Sequence, residues 1–375
     1  MDLLARAAEL KPELLEFAVS GRFTRELGLV YSRFFPDGVV TDEATSALAL
    51  DHFALEYRLP GGDLLIDRFL AERPELHEAE RAMVLSWKDV VEGIFEVRTV
   101  AGPALILHNL IDELAYTAHS DLGEDAFEAL DPGMFMVGRL IPVTFDDWMI
   151  SATPAVYTPD ARRQLVRAAA EAALRNPARV FRNPALLAEA WQIQAAQRRQ
   201  FTEHFGSDLV VMQGAEVAAR MGAFTSMSFP DHLAQEETVA LIFDERDGLG
   251  YYTDFGAVEE AFADPSLVTR ARYRDAVSRY LRGDAVSPVP IRRLAARDPE
   301  RAGRLFATLL GRRGFTWQLD GEGLLRAHKP GYFSSPRLPA CTPVTAVIAE
   351  LDHDLEQEHL QDHVQDHGHD AEQRV

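Results

Sequence analysis

The fold of this chain is decided by the stretch from Gly93 to Ser151, which contains GIFEV (93–97), ALILHNL (104–110), ELAYTA (113–118), MFMVGRLIPV (134–143) and WMIS (148–151). These segments are short and largely apolar, and Gly, Pro or Asp residues separate them, which is typical of strands joined by turns. Five strands within about 60 residues predict a small, strongly bent antiparallel barrel. Small barrels often bind ligands, so this stretch is predicted to be a binding module.

Outside this stretch the sequence favours helices. The N-terminal leucines and Ala7 recur at intervals of three and four residues, which is the spacing of one buried helix face. A second β region follows much later, because TVALIFD (238–244) and GYYTDF (250–255) flank a charged turn. This pattern predicts a β-hairpin at 238–255.

The predicted fold class is therefore α+β, mostly helical with an embedded small antiparallel β-barrel and one further β-hairpin. We expect a helical N-terminal unit at 1–83, the small β-barrel at 84–152 and a helical C-terminal domain at 153–350 that carries the hairpin. The remaining segment, 351–375, is polar, acidic and rich in histidine, which predicts a disordered tail.

Composition narrows the classes of function. The 375 residues carry a net charge of −21, so duplex DNA is an unfavourable partner unless the positive charge is segregated. The single cysteine, Cys341, excludes an intramolecular disulfide and a zinc site built from several thiolates. No signal-peptide pattern or apolar run of about 20 residues occurs, so we expect a cytoplasmic protein of bacterial type without a membrane association.

Two segments carry a resemblance to a known group of proteins. DHFALEYRLPGGDLLIDRFLAERPEL (51–76) is followed by LSWKDVVEGIFEV (85–97) and then by PGMFMVGRLIPV (132–143) and DWMIS (147–151). In this order the stretch from 51 to 151 resembles uncharacterised bacterial proteins associated with the SEC-C metal-binding motif. The Cys-rich zinc knuckle of that motif is absent from this chain, so the resemblance implies a fold and no zinc site.

The tail offers one candidate metal site. If 351–375 were helical, His359, His363 and His367 would share one face at a spacing of four residues, which suits zinc or nickel. The alternative is a solvated acidic tail, which Gly368 and the absence of an apolar anchoring face favour.

Arginines offer a second candidate site. Arg162 and Arg163 begin one basic stretch, and Arg292 and Arg293 begin another. If these stretches converge, they form a cationic patch that can hold RNA or an acidic partner. The alternative, which we favour, is that both stretches pair with the acidic N-terminal half of the chain. The acids of the hairpin, Asp244, Glu245, Asp247 and Asp254, are interpreted as ordinary turn residues.

Enzyme signatures are missing, since the sequence contains no Gly-rich phosphate loop, no GxSxG and no HExxH. The sequence does not decide whether the chain is an enzyme, although the missing motifs argue against catalysis. The leading hypothesis is a binding or adaptor protein whose barrel contacts a macromolecular partner. A protein is the favoured partner, RNA comes second and duplex DNA is unfavourable. A metal-binding protein acting through the tail is the alternative. RNA binding through the arginines, or an enzyme of unrecognised type, comes after that.

Overall fold

The computed structural model describes residues 2–38, 42–120, 127–224 and 230–353. The chain divides into two compact units. The first is Met1–Asn183 with the segment from Val344, and the second is Pro184–Pro343. The stretches predicted as a helical N-terminal part and as a barrel both belong to the first unit, and the predicted hairpin belongs to the second.

Helices occupy both ends of the first unit. Before the barrel, its described residues form α1 (Leu3–Ala18), α2 (Thr24–Phe34), α3 (Glu43–Leu55), α4 (Leu65–Ala71) and α5 (Glu78–Ser86), and after it α6 (Arg162–Arg175) and α7 (Pro177–Val180). The Asp2 carboxylate caps α1 by accepting a hydrogen bond from the Leu4 amide at 3.0 Å. Gly61 and Gly62 both have positive φ, 116° and 94°, so the chain turns sharply between α3 and α4.

The predicted barrel is confirmed. The described strands of the first unit are β1 (Val91–Ala101), β2 (Ala104–Asn109), β3 (Ala115–His119), β4 (Phe135–Pro142), β5 (Asp147–Ile150) and β6 (Ala155–Tyr157). Five of them close in the order β1-β2-β3-β5-β4-β1, and β6 pairs with β4. Each pairing is antiparallel except that of β3 with β5, which is parallel. This is the strand order of the OB-fold, a five-stranded Greek-key barrel.

Inward-facing side chains fill the barrel. Phe95, Leu107 and Met136 are fully buried there, and the ring of Tyr116 meets the rings of Phe95 and Trp148 edge-on, with centroids 5.9 and 5.0 Å away. On the outside of the barrel, three other side chains of β4, β5 and the turn between them join the core of the N-terminal helices: Ile141, Val143 and Met149. The barrel and those helices are therefore stabilised by a shared apolar interface.

A buried ion cluster crosses the same interface. Asp51 of α3 accepts hydrogen bonds from Arg139 Nη1 of β4 at 2.7 Å and from Ser151 Oγ at 2.6 Å, and it pairs with the Lys11 ammonium of α1. The side chains of Lys11, Asp51 and Arg139 are all at most 4% exposed. Arg139 also pairs with Glu56, at the end of α3. The cluster links two helices to the barrel through charges that water does not reach.

The second unit is helical around a small sheet. Its described residues form α8 (Pro184–Phe205), β7 (Leu209–Met212), α9 (Gly214–Gly222), β8 (Val239–Asp244), β9 (Gly248–Thr253), α10 (Phe255–Ala263), α11 (Ala271–Arg282), α12 (Val289–Arg297), α13 (Pro299–Leu310), α14 (Trp317–His328) and α15 (Pro330–Ser334). Strands β8 and β9 are the predicted hairpin, and β7 adds a third strand antiparallel to β8. Strand β7 is four residues long, too short for its apolar pattern to be distinguished from a helix end.

The α+β class, the helical majority, the barrel and the hairpin are thus confirmed. No helix within the described ranges is both long and apolar enough to cross a bilayer.

Candidate functional site

The predicted residues Arg292 and Arg293 line a cleft in the second unit. The cleft has a volume of about 510 Å³ and is called the arginine cleft here. Besides these two residues its lining includes Arg198 from α8, Arg246 from the β8–β9 turn and Arg337, which follows α15. Five guanidinium groups from four separate parts of the sequence therefore surround one opening.

The packing of α12 explains why two neighbouring arginines both face outward. Val289, Ile291, Leu294 and Ala295 of this helix are buried in the core of the second unit. Of these residues, Ile291, Leu294 and Ala295 share one face, which leaves positions 292, 293 and 296 on the opposite face. Arg292 and Arg293 are therefore half-buried at the edge of the core, where their guanidinium groups reach the cleft.

Acidic side chains orient three of the five arginines. Asp208 accepts hydrogen bonds from Arg198 Nη2 at 2.5 Å and from Arg293 Nη2 at 3.1 Å, and Glu322 accepts from Arg292 Nη2 at 2.7 Å. Although burial opposes the effect, hydrogen bonds and charge from the two arginines hold the pKa of Asp208 below its ordinary value. The carboxylates hold these guanidiniums in place, and an arginine carries five N–H donors, so further donors remain for a ligand.

The other two arginines have no such partner. Arg246 and Arg337 are exposed and form no ion pair with any described residue. The guanidinium of Arg337 lies over the ring of Tyr332, 5.8 Å from its centroid. These two groups are the free positive charges of the arginine cleft.

A second opening, of about 560 Å³, continues from the first and shares Arg246, Tyr332 and Arg337 with it. We call it the Asp247 arm. Its lining includes Asp247, Asp284, Ser287 and Lys329. Lys329 is buried at the end of α14, its ammonium group donates to the carbonyl oxygen of Gly283, and burial lowers its pKa.

Asp247 is the unusual member of this lining. Its Oδ1 atom accepts a hydrogen bond from the Tyr332 hydroxyl at 3.0 Å, whereas its Oδ2 atom is buried and has no hydrogen-bond partner. Burial raises the pKa of Asp247, and the charge of Asp244 adds to that effect. A buried acceptor without a donor is rare in folded proteins and requires an explanation.

A smaller cleft of about 250 Å³ lies in the first unit. Its charged residues have partners within the first unit: Arg179 pairs with Glu92 at 2.9 Å, and the buried Asp112 accepts hydrogen bonds from the Tyr116 hydroxyl at 2.6 Å and the Leu114 amide at 3.0 Å. Burial raises the pKa of Asp112. These contacts stabilise the β2–β3 turn, and they leave this cleft a weaker candidate than the arginine cleft.

The remaining predicted residues fall elsewhere. Arg162 and Arg163 begin α6 in the first unit, where Arg162 pairs with Glu350 at 2.9 Å and lies 3.7 Å from Glu96. The predicted metal ligands His359, His363 and His367 lie outside the described residues. Within the described ranges, no group of three or more His, Cys, Asp or Glu residues is arranged to hold a metal ion.

Comparisons of the chain with protein-family models, with curated proteins and with solved structures found no match. The resemblance to SEC-C-associated proteins therefore stays a prediction. Sequence reasoning identified Arg292 and Arg293 but missed Arg246 and Arg337 in the same cleft, and it missed Asp247 in the adjoining arm. The acids of the hairpin were interpreted as turn residues, and no local signal distinguishes Asp247 from its neighbours.

Proposed function

We propose that this protein is a binding protein that takes an anionic group of its ligand in the arginine cleft. The observation that carries the proposal is the convergence of five guanidiniums in one opening of a chain whose net charge is −21. Positive charge concentrated in this way on an acidic protein indicates a demand for a negative partner. A purely structural role would leave each arginine next to one acid, as Arg301 is next to Asp298.

The local charge supports this interpretation. The lining of the arginine cleft carries five arginines against two acids, Asp244 and Glu245. Asp208 and Glu322 hold three of the arginines in fixed positions, so these side chains lose little rotamer freedom when a ligand binds. Guanidinium groups also match the planar geometry of carboxylate and phosphate oxygens.

The test uses inorganic phosphate as the probe and the double variant R246Q/R337Q. Both arginines are exposed and without ion pairs among the described residues, so their replacement removes charge from the cleft with little effect on folding. The matched control is R301Q/R304Q, which removes two exposed arginines from α13, outside the cleft lining. Thermal unfolding is followed with and without phosphate at constant ionic strength.

We expect phosphate to raise the unfolding temperature of the wild type and of R301Q/R304Q, since a ligand that binds the folded state stabilises it. The increase should be lost in R246Q/R337Q. An equal increase in all three proteins would show that phosphate acts non-specifically, and it would refute the proposal.

The barrel supports a second candidate function, the contact with a protein partner that the strand pattern predicts. The observation that favours it is Phe145, which is 96% exposed at the tip of the β4–β5 turn. This turn is rigid, because Thr144 Oγ1 donates to Asp147 at 2.9 Å and accepts from the Asp147 amide at 3.0 Å. The corresponding loop belongs to the binding face of many OB-fold proteins.

A rigid, exposed aromatic ring is suited to anchor a protein interface. The test compares F145S with L319S, which removes an equally solvent-exposed apolar residue (87% exposed) from α14. A partner isolated with the tagged wild type should also be isolated with L319S and should be lost with F145S. Retention of the partner by F145S would exclude this loop from the interface.

A further inference from the structure

We propose that the ligand of the arginine cleft is a phosphate monoester whose organic part carries a hydroxyl group, with the phosphate among the arginines and the hydroxyl donating to Asp247. This inference rests on the proposed function and specifies its ligand. Different atoms of the protein bind the two ends of the ligand, so each end has its own test.

The phosphate end of the ligand is inferred from the separate chain segments that bring guanidinium groups to the arginine cleft. Arg246 and Arg337 approach from two loops, and Arg292 approaches from α12, so donors reach the opening from more than one side. A phosphate monoester has three acceptor oxygens and nearly two negative charges at neutral pH, and it can accept from several sides at once. A carboxylate has two oxygens in one plane and suits a single guanidinium.

The hydroxyl end follows from the Oδ2 atom of Asp247. This atom is buried without a donor, while the Oδ1 atom of the same group is satisfied by Tyr332. The fold therefore withdraws an acceptor from water and leaves it unused. Asp247 lines the arm next to the arginine cleft, so a rotation of its carboxylate group that brings Oδ2 to the opening lets a ligand hydroxyl supply the missing hydrogen bond.

Size and continuity support one ligand across both openings. The arginine cleft and the Asp247 arm have volumes of about 510 and 560 Å³, and each is within the range of small-molecule sites. Arg246, Tyr332 and Arg337 line both, so the two openings adjoin one another. Sugar phosphates and nucleotides share this chemistry, an anion joined to a hydroxyl-bearing ring.

The experiment measures the affinities of two probes by titration calorimetry. Methyl phosphate carries the phosphate without a hydroxyl, and ribose 5-phosphate carries both. The variant D247N keeps the shape of the side chain but replaces the unused acceptor by an amide. The matched control D275N removes the same charge from an exposed carboxylate of α11, outside the lining of both openings. Binding of methyl phosphate reports that each variant is folded.

We expect the wild type and D275N to bind ribose 5-phosphate about tenfold or more tightly than methyl phosphate, as one charge-assisted hydrogen bond provides. In D247N this ratio should fall, because the bond to the hydroxyl loses its charge assistance, with the affinity for methyl phosphate retained. Adenosine monophosphate serves as a third probe. Tighter binding than ribose 5-phosphate indicates a nucleotide, and equal or weaker binding indicates a sugar phosphate.

Equal affinities of the wild type for methyl phosphate and ribose 5-phosphate would overturn the inference, and so would a ratio that D247N leaves unchanged. In both cases the proposed function stands if R246Q/R337Q still weakens the binding of methyl phosphate. Failure of the proposed function is a different result, in which no probe binds in a way that depends on Arg246 and Arg337.

Discussion

The buried ion cluster of the first unit makes an asymmetric prediction about stability. Asp51 faces two cations, Lys11 and Arg139, and it also accepts from Ser151. The variant D51N removes the one negative charge that both cations face, although Arg139 keeps its pair with Glu56. The variant K11M removes one cation and leaves Asp51 bonded to Arg139 and Ser151.

The magnitudes follow from what each variant leaves behind. Removing one partner of a buried pair costs about 3–5 kcal/mol, because the other charge stays buried without compensation. D51N should cost this much, a large share of the roughly 5–15 kcal/mol by which a domain is stable. K11M leaves no charge unpaired and frees one acceptor, the Ser151 carbonyl, to which Lys11 Nζ donates at 3.2 Å. Its cost should be about 1–3 kcal/mol.

Urea unfolding measures both costs. Tryptophan fluorescence reports on the first unit through Trp87 and Trp148 and on the second through Trp191 and Trp317, and far-UV circular dichroism reports on the helices of the whole chain. The control E171Q removes half of the exposed Arg167–Glu171 pair of α6 and should change the free energy of unfolding by about 0.5 kcal/mol or less. The double variant K11M/D51N should lose less free energy of unfolding than the sum of the losses in K11M and D51N. The reason is that it removes Lys11, one of the two cations that D51N leaves without the Asp51 charge.

Two results would contradict this reasoning. If D51N were as stable as E171Q, the cluster would be hydrated and would contribute little. If K11M cost as much as D51N, losing one cation would be as unfavourable as losing the anion that both cations share.

Two further predictions concern the second unit. Gly248 has a φ of +71°, and a Cβ atom there would lie 2.6 Å from the Cβ of Ala340. From backbone strain alone, G248A should therefore lower the free energy of unfolding by about 1–2 kcal/mol or more, as measured by urea unfolding. The control G323A in α14, where nothing lies within 4 Å, should instead raise it by about 0.5–1 kcal/mol, and a loss at both positions would mean that strain at 248 is not the cause. Because burial raises the pKa of Asp247 in the folded state, the stability that this group contributes is fully present below its unfolded pKa of about 3.9 and is lost as the pH rises through the folded value. D247N should therefore gain stability relative to the wild type between about pH 4 and pH 7 in unfolding curves measured at both values, and parallel curves for D247N and the wild type would rule out this linkage.

Much of the fold was predictable because the signals are local. The five barrel segments follow from apolar patterns of four to ten residues, and the β8–β9 hairpin follows from two such patterns around a charged turn. The parallel pairing of β3 with β5 was not predictable in this way. It joins Thr117 to Asp147 across a connection whose path depends on how the barrel closes.

The candidate site was predictable only in part, for the same reason. Arg292 and Arg293 stand out as a charged pair in a basic stretch, but Arg198, Arg246 and Arg337 are ordinary surface arginines in the sequence. Their convergence depends on packing between α8, the β8–β9 turn, α12 and the segment after α15. No pattern within one segment encodes that meeting.

The sequence by itself determined the helical majority, the small barrel, the hairpin and the excess of acid. Tertiary structure alone decided which charges meet. Lys11 reaches the carbonyl of Ser151 across 140 positions, and Tyr332 reaches Asp247 across 85. Secondary structure follows from periodicity over a few residues, whereas burial and the pairing of charges depend on chain segments that only the folded core brings together.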